Sequence, residues 1–403
     1  MRKIDLTNFQ VATSETARDI NRRIMLNLIR RHQPISRADL ARQSGLQRST
    51  VSLITEQLIE ESWVTEGAIG YTPRGRRPRF LHLNNGRAGI IGVDIHPAAT
   101  SIGVADLDAH FVAQESIPTS GNPSEFIGRL GRRLRGLIRT HPEISCEGIG
   151  VSLPGRIDLA SQKLVFAPNL GWSDVDLKTP LEKATGLPVE LENAANACAL
   201  AEVWFGQGSD GVRNLIAVTV SEGIGSGLIL NHQLVRGSTG AAGEFGHITL
   251  VEDGLECRCG NRGCWEVYAS NSAAVRYYVG SGWAARNGNR SKSPVTPPTF
   301  EDVLRLAEQN DTEATAAVNK MAHYLGQGIA LLVTGLAPDV IVVVGDVARV
   351  WDKVGPVVDR TVRDRSVTHA NARIVAADPA AQPRLRGTVA LVLQKHFGAP
   401  TVA

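Results

Sequence analysis

The sequence predicts an α/β protein in two parts: a winged helix-turn-helix over residues 1–85, then a body of two similar α/β lobes over residues 86–403. Three observations carry this prediction. Helical periodicities and an arginine-rich hairpin fill the first 85 residues, a pattern of strand, glycine-containing turn and strand appears near residue 90 and returns near residue 215, and the charge divides at the same boundary. Residues 1–85 hold 14 Lys/Arg against 8 Asp/Glu, a net +6, which leaves 29 against 32, a net −3, for the remainder of a chain whose total is +3. A basic head on a mildly acidic body is the asymmetry expected where only the head meets nucleic acid. At 403 residues, 43% hydrophobic and 21% charged, the chain has globular composition and exceeds the span of one ordinary core. No apolar run approaches the roughly 20 residues of a membrane helix, and the opening MRKIDLTNFQ is followed by no apolar signal region, so a cytoplasmic address with no membrane contact is expected.

In the head, Ile20, Ile24 and Leu28 recur every four positions among charges, which predicts a helix from Ser14 to about His32 with that face buried. Ser36, with Asp39 three positions on, has the pattern of a capping box opening a second helix, with Leu40 and Ala41 on its buried side. Gly45 supplies the turn, and a third helix from about Gln47 to Glu61 buries Val51, Ile54 and Leu58. Its first turn then displays Gln47, Arg48, Ser49 and Thr50, the place from which a recognition helix reaches base edges. After Val64 comes a hairpin carrying the tract PRGRRPR at 73–79, in which Arg74, Arg76 and Arg77 are the candidates for a narrow minor groove. A head of this kind points to double-stranded DNA; a protein-docking winged helix is the competing reading.

In the body, residues 90–95, 100–107 and 111–117 read as successive strands, followed by a helix through Phe126, Leu130, Leu134 and Leu137 and a strand ending GIGVSL. The pattern repeats at 215–220, 225–230 and about 233–235, which places a ligand cleft between two related lobes. Residues 287–298 have linker composition. Three of the five cysteines, Cys257, Cys259 and Cys264, lie within eight positions, ten residues after His247. One imidazole and three thiolates match the ligand count and softness of a closed structural zinc site, with no position left for an activated water. Unliganded surface thiols are the alternative.

The motifs GIGSG at 223–227, AGEFGH at 242–247, CRCGNRGCWE at 257–266, PDVIVVVG at 338–345 and the wing tract GRRP at 75–78 resemble the ROK family (repressor, open reading frame, kinase). Within it they resemble the transcriptional-regulator branch typified by xylose and N-acetylglucosamine repressors. The resemblance implies an actin-like body of two ribonuclease-H-like lobes. It implies zinc on His247, Cys257, Cys259 and Cys264, and a sugar effector contacted by Asn169, Asn193, Glu244, His247 and Glu266. His247 would then serve both, one ring nitrogen on zinc and the other toward a sugar hydroxyl. The sequence departs from the family's kinases at four places. The phosphate turn D-x-G-G-T reads Asp94-Ile95-His96-Pro97-Ala98, and the base of the Asn-Asp-x-Asn motif is Ala194. The second phosphate turn carries Glu222, and the late Gly-Gly is Gly345-Asp346. Alanine takes no proton and carboxylates repel phosphate, so no catalytic residue and no ATP are expected. A bifunctional sugar kinase and a regulator answering to a protein partner are the competing functions. A single winged helix offers few contacts, so a homodimer, or a dimer of dimers, on an inverted repeat is expected, with residues 313–336 as the segment holding it.

Overall fold

The computed structural model describes residues 13–69, 77–86, 88–119, 121–206, 211–280, 297–366 and 372–398. Arg74 and Arg76 of the wing tract, and residues 287–296 of the linker-like stretch, lie outside them.

The head contains α1 (Ser14–His32), β1 (Ile35–Ser36), α2 (Arg37–Ser44), α3 (Arg48–Glu60), β2 (Val64–Ile69) and β3 (Arg79–Leu83), the strands pairing in the order β1-β3-β2. The capping box at Ser36 forms as read, with Asp39 reaching back to the cap, and Gly45 closes α2 at φ 73°. Helix α3 buries Val51, Ile54 and Leu58. Helix α1 turns its face by about one position from the expected one: Met25, Leu26 and Ile29 are buried, while Ile24 is 41% exposed. The stretch Ile24 to Ile29 is apolar at all but Asn27, so periodicity alone left the face free, and packing on two sides, against the head and against the body, decides it.

Lobe I comprises β4 (Ala88–Ile95), β5 (Ala99–Ala105), β6 (Phe111–Pro118), α4 (Pro123–Thr140), β7 (Ser145–Leu153), the small strands β8 (Arg156–Ile157), β9 (Leu164–Ala167) and β10 (Trp172–Val175), α5 (Lys178–Thr185) and β11 (Val189–Asn193). Helix α6 (Ala194–Phe205) crosses to lobe II: β12 (Leu215–Val220), β13 (Ile224–Leu230), β14 (Gln233–Leu234), α7 (Glu266–Ala269), α8 (Asn271–Tyr278), α9 (Phe300–Glu308), α10 (Thr312–Leu336), β15 (Val340–Val344), α11 (Trp351–Arg365) and β16 (Arg373–Ala376). The closing helix α12 (Pro383–Phe397) returns to lobe I. The two large sheets run β6-β5-β4-β7-β11 and β14-β13-β12-β15-β16. In each, three strands are antiparallel and the last two add in parallel. The repeat visible in the sequence is thus a repeat of topology. Helix α10 is one continuous helix and most of its apolar side chains are buried within its own lobe.

The head does not sit on a free tether. Its core residues Leu26, Ile29, Val51, Leu58 and Trp63 join Ile90 and Leu107 of lobe I and Val389, Leu393 and Phe397 of α12 in one cluster. At that joint the His396 ring lies 4.6 Å from Trp63, and burial, with Arg22, Arg23 and Lys395 adding to it, pushes this imidazole down to about 4. The unfolded chain therefore takes the proton first: stability is full above pH 6.5, the ordinary imidazole value, and is lost as pH falls from there through about 4, an effect that the partial solvation of the ring reduces to about 1–2 kcal/mol. We expect the wild-type melting temperature to drop between pH 7 and 4.5 by more than that of His396→Phe, as read by thermal denaturation; equal pH slopes in the two proteins would remove His396 as the cause.

Candidate functional site

Three features carry chemistry: the exposed end of α3, the loop 247–264, and the cleft between the lobes. At α3, Gln47 is the N-cap residue and its side chain makes no capping bond. Gln47, Arg48 and Ser49 are exposed and Thr50 is half-buried. All four stand at the positive end of the helix dipole, which favours an approaching phosphate or base acceptor. At the root of the wing, Arg37 and Arg79 both pair with Glu66 at 2.7 Å; the Arg37 hydrogen bond, then that of Arg79, holds this carboxyl below its ordinary range. Arg77 is exposed beside them.

The loop is folded by its own backbone. Leu250 N–H donates to Gly263 O at 2.8 Å, Trp265 N–H donates to Ile248 O at 2.9 Å, and Cys257 N–H donates to Asn261 O at 2.8 Å. Gly263 lies at φ 73°, and a Cβ there would stand 1.8 Å from Val251 O, so no other residue fits that turn. The folding brings one atom each of His247, Cys257, Cys259 and Cys264 within 4.8 Å of one another. Cys257 Sγ is 3.6 Å from His247 Nδ1, and Cys259 Sγ is 3.7 Å from Cys264 Sγ. A tetrahedron with zinc–sulfur bonds of about 2.3 Å has edges of about 3.8 Å. The donor set and its spacing therefore fit a closed four-coordinate ion. Nδ1 is the ring nitrogen turned toward the cysteines, and Nε2 faces Glu244 Oε2 at 3.8 Å.

The expected sugar contacts fall into two groups. Glu244 and His247 share the 3-10 turn Glu244–His247, and Glu266 stands beside them, with Oε1 3.9 Å from Cys257 Sγ and Oε2 accepting from Ile224 N–H at 3.0 Å. Burial raises the Glu266 carboxyl, with the Ile224 N–H and the charges of His247 and Arg258 opposing. Asn169 joins this group across the cleft, since its Oδ1 accepts from Arg258 Nη1 at 3.3 Å. Sequence reasoning passed over Arg258; its position between two metal ligands was the available signal. Asn193 behaves differently. Its Oδ1 caps α6 by accepting from Ala195 N–H at 2.8 Å, and its Nδ2 donates to Gly155 O at 2.8 Å. The backbone takes the side-chain oxygen and one amide hydrogen, leaving a single N–H for any other partner. Next to it, Glu192 is buried and paired with Arg236 at 2.8 Å, a pair the sequence did not announce.

On the far side of the cleft a cavity of about 400 Å³ is lined by Asp94, Gly345, Asp346 and Arg384 among others. Asp94 accepts from Ser152 Oγ at 2.6 Å and pairs with Arg384 at 3.2 Å. Burial and the Arg384 charge lower the His96 pKa, while Asp94, Glu222 and Asp346 act on it in the opposite sense. Three carboxylates thus act on the turn that follows β4.

The family model for ROK proteins matches residues 90–395, three quarters of the chain. The chain belongs to the ROK family. A winged helix-turn-helix DNA-binding model matches residues 18–65, so this ROK protein carries a DNA-binding head. It is 33% identical to the xylose repressor of Bacillus subtilis over 344 residues, 82% of this chain and 83% of that protein. A ROK family transcriptional regulator described as a homologue of the Escherichia coli Mlc protein has the same architecture, with a TM-score of 0.80, 25% identity, and coverage of 95% of this chain and 98% of the other. A Streptomyces griseus ROK glucokinase solved with glucose and AMPPNP aligns at a TM-score of 0.68 and 30% identity over 76% of this chain and 99% of its own, that is, without the head.

Proposed function

We propose that this chain is a sugar-responsive, DNA-binding transcriptional repressor of carbohydrate genes that performs no phosphoryl transfer. The observation that carries the reading is the union, in one continuous core, of a winged helix with an exposed recognition turn and a ROK body whose phosphate positions hold His96, Pro97, Glu222 and Asp346. The xylose repressor relative and the regulator architecture support it, and D-xylose is the first effector to test. Zinc on His247, Cys257, Cys259 and Cys264 holds the effector side of the cleft together by fixing the turn that carries Glu244. Asn169, Glu244, Glu266 and the outer nitrogen of His247 satisfy sugar hydroxyls, with Asn193 adding one N–H. Gln47, Arg48, Ser49 and Thr50 read the operator, and Arg74, Arg76 and Arg77 lie along its minor groove. The chain acts as a homodimer on an inverted repeat; on α10, Leu331 is 45% exposed and offers an apolar contact.

The two ends separate by mutation. Arg48→Ala should weaken operator binding by about 1–3 kcal/mol while leaving sugar binding unchanged. Glu244→Ala should leave operator affinity intact and abolish its response to sugar. Gel-shift titration with and without D-xylose reads both, and a full response in Glu244→Ala would place the effector elsewhere.

A further inference from the structure

One face of α1 holds the ends of two helices that belong to different lobes. Arg23 Nη1 donates to Gly398 O and Asn27 Nδ2 donates to Phe397 O, each at 2.7 Å, at the C-terminus of α12. Arg30, three residues beyond Asn27 on the same face, donates through Nη2 to Trp204 O in the last turn of α6 and lies 4.6 Å from the Trp204 ring and 5.4 Å from that of Phe205. The last carbonyls of a helix have no partner within it and form its negative pole, so these side chains satisfy both ends, and the two arginines do so with the favoured charge.

The two helices ride on different sheets. Helix α12 lies against lobe I so closely that a Cβ on Gly150 of β7 would meet Thr388 O at 2.0 Å. Helix α6 lies against lobe II, where a Cβ on Gly227 of β13 would meet Ala195 O at 2.2 Å. They meet each other at Gly387, whose Cβ would stand 2.1 Å from Ala197 O. With backbone this close, each helix moves with its own sheet, and their mutual contact at Gly387 and Ala197, near the start of both helices, is the pivot between them. A change in the angle between the lobes therefore displaces the end of α6 against the end of α12, and α1 spans that joint. Helix α6 starts next to its cap, Asn193, and, at 12 residues, delivers the displacement about 18 Å away. From α1 the path is short, because Leu26 and Ile29 share a core with Val51 and Leu58 of the recognition helix.

We propose that α1 reads the lobe angle and that Arg30 is the positioning residue that makes the reading possible, by tying the DNA-binding head to lobe II while Arg23 and Asn27 tie it to lobe I. The proposal rests on the sugar-responsive function given above for its physiological signal, but not for the link itself. Lobe closure around a sugar pulls on Trp204, Arg30 transmits the pull, and the recognition helices of a dimer change their spacing.

The experiment uses the full-length protein, a duplex selected from random sequence by the wild type, and D-xylose as the effector probe. In the wild type, D-xylose should change duplex affinity about 5-fold to 150-fold. In Arg30→Ala that ratio should fall below about twofold, while xylose affinity by calorimetry and sugar-free duplex affinity each change less than about threefold. A merely structural anchor predicts the contrary pattern, a lower melting temperature and weaker duplex binding by the same factor with and without sugar. Linkage supplies an arm that needs no sugar: duplex binding should alter hydrogen exchange in the first turn of α6 and in β13 of the wild type, and the alteration should vanish in Arg30→Ala. If Arg30→Ala does not fold, Arg30→Lys, which keeps the charge and loses the planar stack on Trp204, is read in its place. Absence of any xylose heat in the wild type would refute D-xylose as effector and leave the exchange arm to decide. An unchanged sugar ratio in a folded Arg30 variant, or an exchange response that is absent from the wild type or persists in the variant, overturns the link.

Discussion

Cys259→Ser should yield a chain that holds far less than one zinc, melts at a lower temperature and no longer answers to sugar, yet still binds its operator. Cys259 is exposed, whereas Cys257 and Cys264 are buried, so the substitution removes a ligand with little cost in packing and isolates the effect of the metal. Structural zinc contributes about 10–16 kcal/mol of binding free energy in small peptide sites, and that energy is also folding energy. Here it bears on a loop stabilised within itself mainly by backbone hydrogen bonds. Without the ion, His247 loses the partner that fixes its Nδ1, and the turn carrying Glu244 loses its anchor, because both residues belong to Glu244–His247. The head, whose core lies with lobe I and α12, is remote from the loop and should keep its fold. Elemental analysis, thermal denaturation, calorimetry with D-xylose and gel shift follow the four consequences separately. A wild type purified with no zinc, or Cys259→Ser with a full complement of it, would end the assignment.

What the sequence revealed and what it concealed divide along physical lines. Local rules were legible: the Ser36–Asp39 capping box, the αL turn at Gly45 and the buried stripe of α3 each depend on residues within a turn or two of each other. The doubling of the body was legible because each lobe begins with two apolar strands joined by a short turn, and the observed sheets share one order. The His/Cys cluster could be read because a loop of 18 positions leaves few ways to bring soft ligands together. Contacts that depend on distant segments were not legible. The face of α1 was misjudged at Ile24 because its apolar run is nearly continuous and the deciding neighbours, Val389 and Phe397 in α12, lie more than 360 residues away. The pairing of Arg258 with Asn169 spans 89 residues and that of Arg30 with Trp204 spans 174; no local pattern marks either. Asn193 illustrates a third case, in which a residue of the right type stands at the right motif position but a helix end takes most of its hydrogen-bonding capacity.

Ala194→Asp should not create a sugar kinase, although it restores the one side chain that the family's kinases use as general base. A positioned base contributes roughly 10²–10⁴ in rate, and the remaining barrier in phosphoryl transfer is met by electrostatic stabilisation of the moving phosphoryl group. This chain arranges the opposite charge. Asp94 is common to the kinase turn, but Glu222 and Asp346 are not, and both act with it on His96, so an incoming triphosphate would meet two added carboxylates, and the neighbouring cation Arg384 is already paired with Asp94 at 3.2 Å. Pro97 adds a second obstacle, since it has no N–H to offer a phosphate oxygen. Without a bound nucleotide there is no phosphoryl donor for a hydroxyl activated by that base to attack. ADP release across a panel of aldoses should therefore stay at the no-protein background in both the wild type and Ala194→Asp. Adding His96→Gly, Pro97→Gly, Glu222→Thr and Asp346→Gly to Ala194→Asp removes the obstructions as well, and should raise nucleotide binding first and turnover second. Sugar-dependent ADP release by the wild type that persists through purification, or by Ala194→Asp alone, would show that the cleft still accepts a nucleotide against these charges.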